Sequence, residues 1–406
     1  GFGGPAGQIA LMHRVLVDEK KWVEESRYLH ALNFCMLLPG PEAQKLATYV
    51  GWLLHGTRGG LTAGILFVLP GALVMLAVSL LYVLGQGIPA VEGALFGIKA
   101  AVLVIVVEAL LRIARRGLKT RLLVGISAAA FVGIFFLDLP FPLIVAAAGA
   151  IGFFTTAKTH PIEETKHPGA WRQSLRAALV GLGLWLAPIA LVVATLGPDH
   201  VLADIAAFFS KLAVVSFGGA YALLAYMAQQ AVENHGWMSA PEMVDGLGLA
   251  ETLPGPLIKV TQFVGFLAAY RDAAPFSPVA AAMLGAALTT WVTFVPPMMM
   301  IFAGAPFIES LRSNMRLSGA LAAITAAVVG VILNLTLWFA LHVLFARVEE
   351  ARAGPLRWYA FDPASLDWKA AVLAVLAALL MLRLHRGLVE TIALMAGLGI
   401  LLRIFL

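Results

Sequence analysis

The chain has 406 residues, of which 61% are hydrophobic and only 13% charged, and its mean hydropathy is +0.89. A soluble domain of ordinary composition carries about 25% charged residues, so this balance excludes a soluble globular fold and points to a bilayer. The net charge of +5 gathers in short loops between apolar runs, where it reads as a topology signal and not as a nucleic-acid surface.

In chain order, the sequence opens inside a motif, Phe2-Gly3-Gly4, and half of a membrane helix is expected to precede it; no cleavable signal is visible. A basic loop runs from Arg14 to Arg27, followed by Cys35, the single cysteine, which rules out an intrachain disulfide or a cysteine-based metal site. Leu38-Pro39-Gly40-Pro41 then breaks the apolar pattern. No Asp, Glu, Lys or Arg occurs between Arg58 and Glu92, between Arg176 and Asp199, between Asp272 and Glu309, or between Arg316 and Arg347. Each of these stretches exceeds the roughly 20 apolar residues that a membrane-crossing helix needs.

Full crossings are expected over 59–84, 90–113, 175–196, 278–304 and 318–345, and in the helical hairpins 122–154 and 370–404. The segments 38–56 and 203–232 read as re-entrant. If the first of them crossed fully, the basic loop Arg112 to Arg121 would land on the wrong side. Non-helical backbone at membrane depth is tolerated only where protein or a wet cavity surrounds it, which makes the two breaks the first place to look for a site.

The chain repeats itself. Phe2-Gly3-Gly4 returns as Phe217-Gly218-Gly219 and Leu38-Pro39-Gly40-Pro41 as Leu253-Pro254-Gly255-Pro256, both 36 residues apart within their copy. Val50-Gly51-Trp52 returns as Val264-Gly265-Phe266, and Pro70 aligns with Pro296. The boundaries read as 1–154 for a first transporter repeat, 155–203 for a linker loop and an inverting helix, and 204–406 for a second repeat. Lys and Arg mark cytoplasmic loops, and their distribution reverses between the copies. The loop 14–27 is basic while 233–251 carries four acids and no Lys or Arg; the tip 137–141 lacks Lys and Arg while Arg383-Leu384-His385-Arg386 is basic. The expected fold class is therefore an all-α polytopic membrane protein of two inverted-topology repeats with Gly/Pro-broken re-entrant helices.

The duplicated motifs carry the expected chemistry. Glycines permit close helix packing and prolines kink membrane helices, which is their ordinary role. Duplicated at equal spacing, they also make helix starts at Pro41 and Pro256, where Pro suits the first turn and Gly leaves backbone N–H groups free for a ligand. A helix start carries about half a positive charge and several unpaired donors, so it binds anions without a committed side chain. Ionisable residues inside apolar stretches come next: Lys45, Lys99, Glu108, Lys211, Glu251 and Lys259, with Glu42 at the mouth of the first break. Lys45 and Lys259 are equivalent across the repeat and read either as a cation pair for a dianion or as side chains that snorkel to the headgroups. Glu251 reads as cargo-facing or as a complement to a helix start. Lys99 and Glu108 read as cargo-facing or as partners of another helix. Pro70 and Pro296-Pro297 are the expected hinges.

No phosphate-binding loop, His-Glu-x-x-His, Cys-x-x-Cys or Gly-x-Ser-x-Gly motif is present. The nine histidines are scattered, and no enzyme activity, metal or cofactor is expected.

At Phe2-Gly3-Gly4-Pro5-Ala6-Gly7-Gln8, Leu38-Pro39-Gly40-Pro41-Glu42-Ala43-Gln44, Ser216-Phe217-Gly218-Gly219-Ala220-Tyr221 and Pro254-Gly255-Pro256-Leu257-Ile258 the sequence resembles the chromate ion transporter family in its long, two-domain form. The resemblance implies a carrier of the bacterial inner membrane that exports chromate on the membrane potential or proton gradient and gives chromate resistance. The chromate anion and the lipid bilayer are the implied partners, with sulfate as a competitor and a homodimer left open. Another tetrahedral oxyanion carrier, or a passive anion channel, remains an alternative. The candidate substrate-binding residues are Phe2, Gly3, Gly4, Pro39, Gly40, Pro41, Glu42 and Lys45 in the first copy. In the second they are Phe217, Gly218, Gly219, Glu251, Pro254, Gly255, Pro256 and Lys259.

Overall fold

The structure, a computed structural model, describes residues 4–156, 170–217, 220–253, 255–305 and 315–405. Among the described residues, six helices are long and apolar enough to cross a membrane: α3 (Glu42–Leu84), α4 (Pro89–Gly117), α7 (Ala170–Leu196), α12 (Pro278–Gly304), α13 (Met315–Leu344) and α15 (Leu388–Phe405). The chain is an all-α, multi-pass membrane protein. The apolar window of α7 is 6% buried and that of α13 is 72% buried, so α7 faces lipid while α13 runs through the centre. Helices α5 (Arg121–Phe135) and α6 (Phe141–Thr155) have 15 residues each. At 1.5 Å per residue they span about 22 Å, short of the roughly 30 Å hydrocarbon core that the sequence led us to expect each to cross.

The shorter elements recur in order. Helix α1 (Gly4–His13) widens into a π-helical turn, Arg14–Glu19, and is followed by α2 (Glu25–Leu37). Helix α9 (Ala220–Gln229) widens into the π-helical turn Gln230–Asn234 and is followed by α10 (Ala240–Thr252). The turns match at hydrogen-bond level: Trp22 N donates to Leu16 O and Trp237 N to Ala231 O, each at 2.8 Å. In the second half α8 (Val201–Val215) covers this region, with Phe208 5.6 Å from the Trp237 ring, leaving Trp237 7% exposed. The matching face of the first half is an apolar groove of about 710 Å³ lined by Leu11, Met12 and Trp22.

At Pro39-Gly40-Pro41 the chain turns back on itself. Gly40 has φ +102°, a value that costs an L side chain strain and glycine none. Phe34 and Tyr49 stand on either side of the break with ring centroids 5.3 Å apart; on one straight helix those 15 residues would separate them by about 22 Å. A second reversal follows inside α3, where His55 and Gly56 leave helical geometry. The segments before and after it pack through glycine: a methyl on Gly51 or Gly59 would land on the other's carbonyl oxygen. Gly265 of α11 (Val260–Arg271) and Gly285 of α12 make the corresponding contact.

The two halves exchange partners. The long helix α4 packs on α14 (Trp368–Ala378) and α15, whereas α13 packs on α5 and α6. Small residues let these backbones approach, as membrane helix interfaces favour: Gly93 meets Gly399, and Gly330 meets the Ser127 carbonyl.

One element has no counterpart in the expected fold. Strands β1 (Val348–Ala353) and β2 (Leu356–Phe361) pair antiparallel about Gly354, whose φ is +59°. From β2, Arg357 enters the protein at 1% exposure and lies 2.9 Å from Asp138 in the α5–α6 turn, 3.1 Å from Glu233 and 3.8 Å from Glu350. It also donates to Ile134 O at 2.7 Å. A guanidinium buried to this degree needs such partners to offset lost hydration.

Candidate functional site

The two Pro-Gly-Pro breaks, distant in sequence, meet in the core. Gly40 N donates to Ser216 O at 3.0 Å, and Gln8 Nε2 donates to Gly255 O at 2.6 Å. Each break therefore touches the segment around the other half's Phe-Gly-Gly motif. Each also rests on the opposite half's proline-containing long helix. A methyl on Gly40 would strike the Pro297 ring, and one on Gly255 would lie 3.3 Å from Gly71 Cα; Gly71 and Pro297 occupy the same place in the repeat. Gly255 has φ +110°, close to that of Gly40.

Between the breaks lies a cavity of about 20 Å³ lined by Gln8, Gly40, Pro41, Glu42, Ala43, Ser216, Leu223, Pro256, Leu257 and Ile258. That volume holds about one water. The first turn of α3 and the 3₁₀ turn Leu257–Lys259 that leads into α11 both begin at this wall, so first-turn N–H groups from both halves border one space. The expectation that the break glycine keeps its N–H free does not hold for Gly40, whose proton is bound by Ser216. The donors left to a ligand are those of the first helical turns.

The predicted site residues divide into groups. Gly40, Pro41, Glu42 and Pro256 line the cavity; Gly255 borders it through its bond to Gln8, and Pro39 is buried behind it. Gly4 opens α1, and Phe217 packs at the edge of the main core. Phe2, Gly3, Gly218, Gly219 and Pro254 lie outside the described residues.

Lys45 and Lys259 are each 1% exposed and do not snorkel. Lys45 Nζ donates to Leu38 O, and Lys259 Nζ donates to Leu253 O at 2.6 Å. Each ammonium thus caps the helix that ends at its own break, where carbonyls lack intrahelical donors and carry partial negative charge. The equivalence of the two lysines in sequence extends to the same bond in space, and neither ammonium reaches the cavity wall.

Glu251 lies in the last turn of α10 and not before a helix start, so the dipole-complementing role considered for it does not apply. It is 7% exposed and faces a second cavity of about 300 Å³ beside Glu108, Arg112, His385 and Arg386. Lys99 is matched from another helix, 2.9 Å from Asp245, which also accepts from Tyr82 Oη at 2.9 Å. Glu108 pairs with Arg112 one turn along α4, and Lys211 is exposed. Asp245 escaped the sequence reading because it was counted as a loop acid, although it is 6% exposed within α10. Gln8 and Ser216 escaped it as well. They lie within the repeated motifs, but only the meeting of the halves gives them partners.

The chromate transporter family's sequence model matches residues 1–153 and 203–402. A chromate transport protein of Pseudomonas aeruginosa is 33% identical over 341 residues, covering 82% of this chain and 76% of the relative. A probable chromate transport protein of Synechococcus elongatus is 28% identical over 82% of this chain and 79% of its own length. An uncharacterized transporter of Methanocaldococcus jannaschii is 26% identical over 84% of this chain and 81% of its own length. No solved structure matches the chain significantly. With matching segments in both halves and the Gly/Pro breaks at their junction, the chain belongs to the chromate transporter family.

Proposed function

We propose that this protein carries the chromate oxyanion outward across the bacterial plasma membrane and so confers chromate resistance. The observation that carries this reading is the convergence of two helix starts, one from each half, on a single buried space between Gly40 and Pro256. Helix starts favour anions through unpaired N–H groups and the aligned backbone dipole. The ion itself is taken from the relatives in Pseudomonas and Synechococcus, which are named for chromate transport.

The reversed Lys and Arg content of the halves supports an inverted pair, with boundaries at 1–154 and 204–406 and the re-entrant breaks entering from opposite faces. Moving one charge through the membrane potential is worth about 2.3 kcal/mol per 100 mV, so a dianion leaving an interior-negative cell gains about twice that. A space of about 20 Å³ is too small for a tetrahedral oxyanion. The breaks must therefore part for passage, and Pro70 and Pro296-Pro297, as helix-interior prolines, are suited to act as hinges for that movement. Such closure favours an alternating carrier over a passive channel.

Chromate uptake into inverted membrane vesicles tests this reading. A carrier saturates, shows counterflow and is competed by sulfate more weakly than by chromate. Non-saturating flux without counterflow would assign a channel, and equal competition by sulfate would widen the cargo to tetrahedral dianions in general.

A further inference from the structure

The cavity of about 300 Å³ beside Glu251 is built from both halves: α4 supplies Glu108 and Arg112, while the second half supplies Glu251 from α10 and His385 and Arg386 from the turn before α15. Most of its charges are matched close by. Glu108 is held by Arg112, and Arg386 lies 3.1 Å from Glu390. Glu251 is the most deeply placed carboxylate, 7% exposed where the Glu108 side chain is 35% exposed. It stands two residues before Leu253, whose carbonyl holds Lys259, and it interacts electrostatically with that ammonium. Helices α11 and α13 also pack on α10 but bring no ionisable side chain to the cavity among the described residues. Glu251 therefore connects a polar cavity with room for several waters on one side to the second break on the other.

The opposite mouth differs. The repeat equivalents of Glu108, Ala109 and Arg112 are Asn334, Leu335 and Trp338, which line a space of only about 10 Å³ closed by Arg357 and Tyr359. The equivalent of Glu251 in the first half is Met36, 51% exposed. Among the described residues, the first half thus has neither the carboxylate nor its access.

We propose that Glu251 is a proton-exchanging residue linked to anion binding, and that the cavity it lines is its water path to the membrane face carrying Arg112 and Arg386. The inference rests on the transport reading above. The exchange is simple: the carboxylate takes a proton from hydronium in the cavity, leaving water, and returns it the same way. Ionised Glu251 offsets the charge of Lys259 beside the Leu253–Pro256 break. Protonated Glu251 leaves that charge uncompensated and favours an anion there, so proton and anion bind cooperatively.

The test is chromate counterflow in proteoliposomes from acidic to alkaline pH, with affinity expressed per chromate dianion so that protonation of chromate itself drops out. Wild-type protein is expected to lose affinity as pH rises, approaching about tenfold per pH unit, the limit for one linked proton. Glu251→Gln, a fixed neutral side chain, is expected to show one affinity at every pH and, relative to its own counterflow rate, to lose the response of net flux to an imposed pH gradient. Should Glu251→Gln fail to insert, Leu388→Cys in a Cys35→Ala background replaces it. An impermeant thiol reagent is expected to label it from the Arg386 face alone and to remove the pH response while leaving counterflow. A Glu251→Gln protein with the wild-type pH response, or a labelled Leu388→Cys protein that keeps it, overturns the proposal. Absence of counterflow in wild type overturns the transport reading instead, and this inference with it.

Discussion

The amide of Gly40 is bonded to the carbonyl of Ser216 at 3.0 Å, so the break of the first half is closed by the motif of the second. That bond fixes how close the two breaks stand. It also means that the donors an anion can use belong to the turns that follow, at Glu42 and Ala43 on one side and Leu257 and Ile258 on the other.

Substitution of the break glycines is expected to be unequal. Both have positive φ, at +102° and +110°, which costs an L residue roughly 1–2 kcal/mol. Only Gly40 also faces a ring within clashing distance, that of Pro297. Gly40→Ala should abolish transport with the protein still in the membrane, while Gly255→Ala should keep a measurable fraction; valine should abolish transport at both. Vesicle flux normalised to protein content checks this, and full activity of Gly40→Ala would assign no role to the contact.

Lys45 and Lys259 hold helix ends in place and do not line the cavity. Replacing either with Met leaves a buried carbonyl unpaired, at a cost of about 1–3 kcal/mol. Lys45→Met and Lys259→Met should lower thermal stability in detergent and maximal flux more than they raise half-saturation. A tenfold loss of chromate affinity at unchanged stability would instead put the ammoniums on the anion.

Glu42 occupies the first turn of α3 and lines the cavity. A carboxylate there complements the helix start but repels an incoming dianion, and Leu257 stands at the equivalent place in the second half. Glu42→Gln is expected to tighten chromate half-saturation several-fold at a small cost in stability. A weaker half-saturation would show that the carboxylate helps to bind cargo.

Arg357 gathers Asp138, Glu233 and Glu350 outside the membrane-spanning helices. Burial pushes the Glu233 carboxyl above its ordinary range, a rise that Tyr359 and Arg357 only partly offset. A raised folded-state pKa means that folding takes up a proton; the linked stability is complete below the unfolded value and is lost as pH rises through the folded one. Thermal stability should therefore fall over that window, and Glu233→Gln should flatten the profile. Arg357→Leu should destabilise, because it leaves three partly buried carboxylates together without their cation.

Orientation of the halves is open to direct labelling. With Cys35 replaced, Glu24→Cys and Ser239→Cys follow the matching turns after α1 and α9 and are expected to react with an impermeant reagent from opposite faces. Labelling of both from one face would remove the inverted arrangement.

Hydropathy and turn chemistry are local properties, and they determined much in advance. The charge-free stretches gave four of the long helices, the first Pro-Gly-Pro motif gave the reversal at Gly40, and the paired motifs gave the equivalence of Lys45 with Lys259 and the family resemblance. Partner choice is not local, and only the tertiary structure decided it. Nothing near Gly40 in sequence announces Ser216, and nothing near Gln8 announces Gly255. Asp245 looks like a loop acid until α4 brings Lys99 to it. The hairpin from Val348 to Phe361 becomes legible only when Arg357 meets the acids of two distant turns. In each case a buried polar group had to find its partner, and at least one such partner came from the other half of the chain.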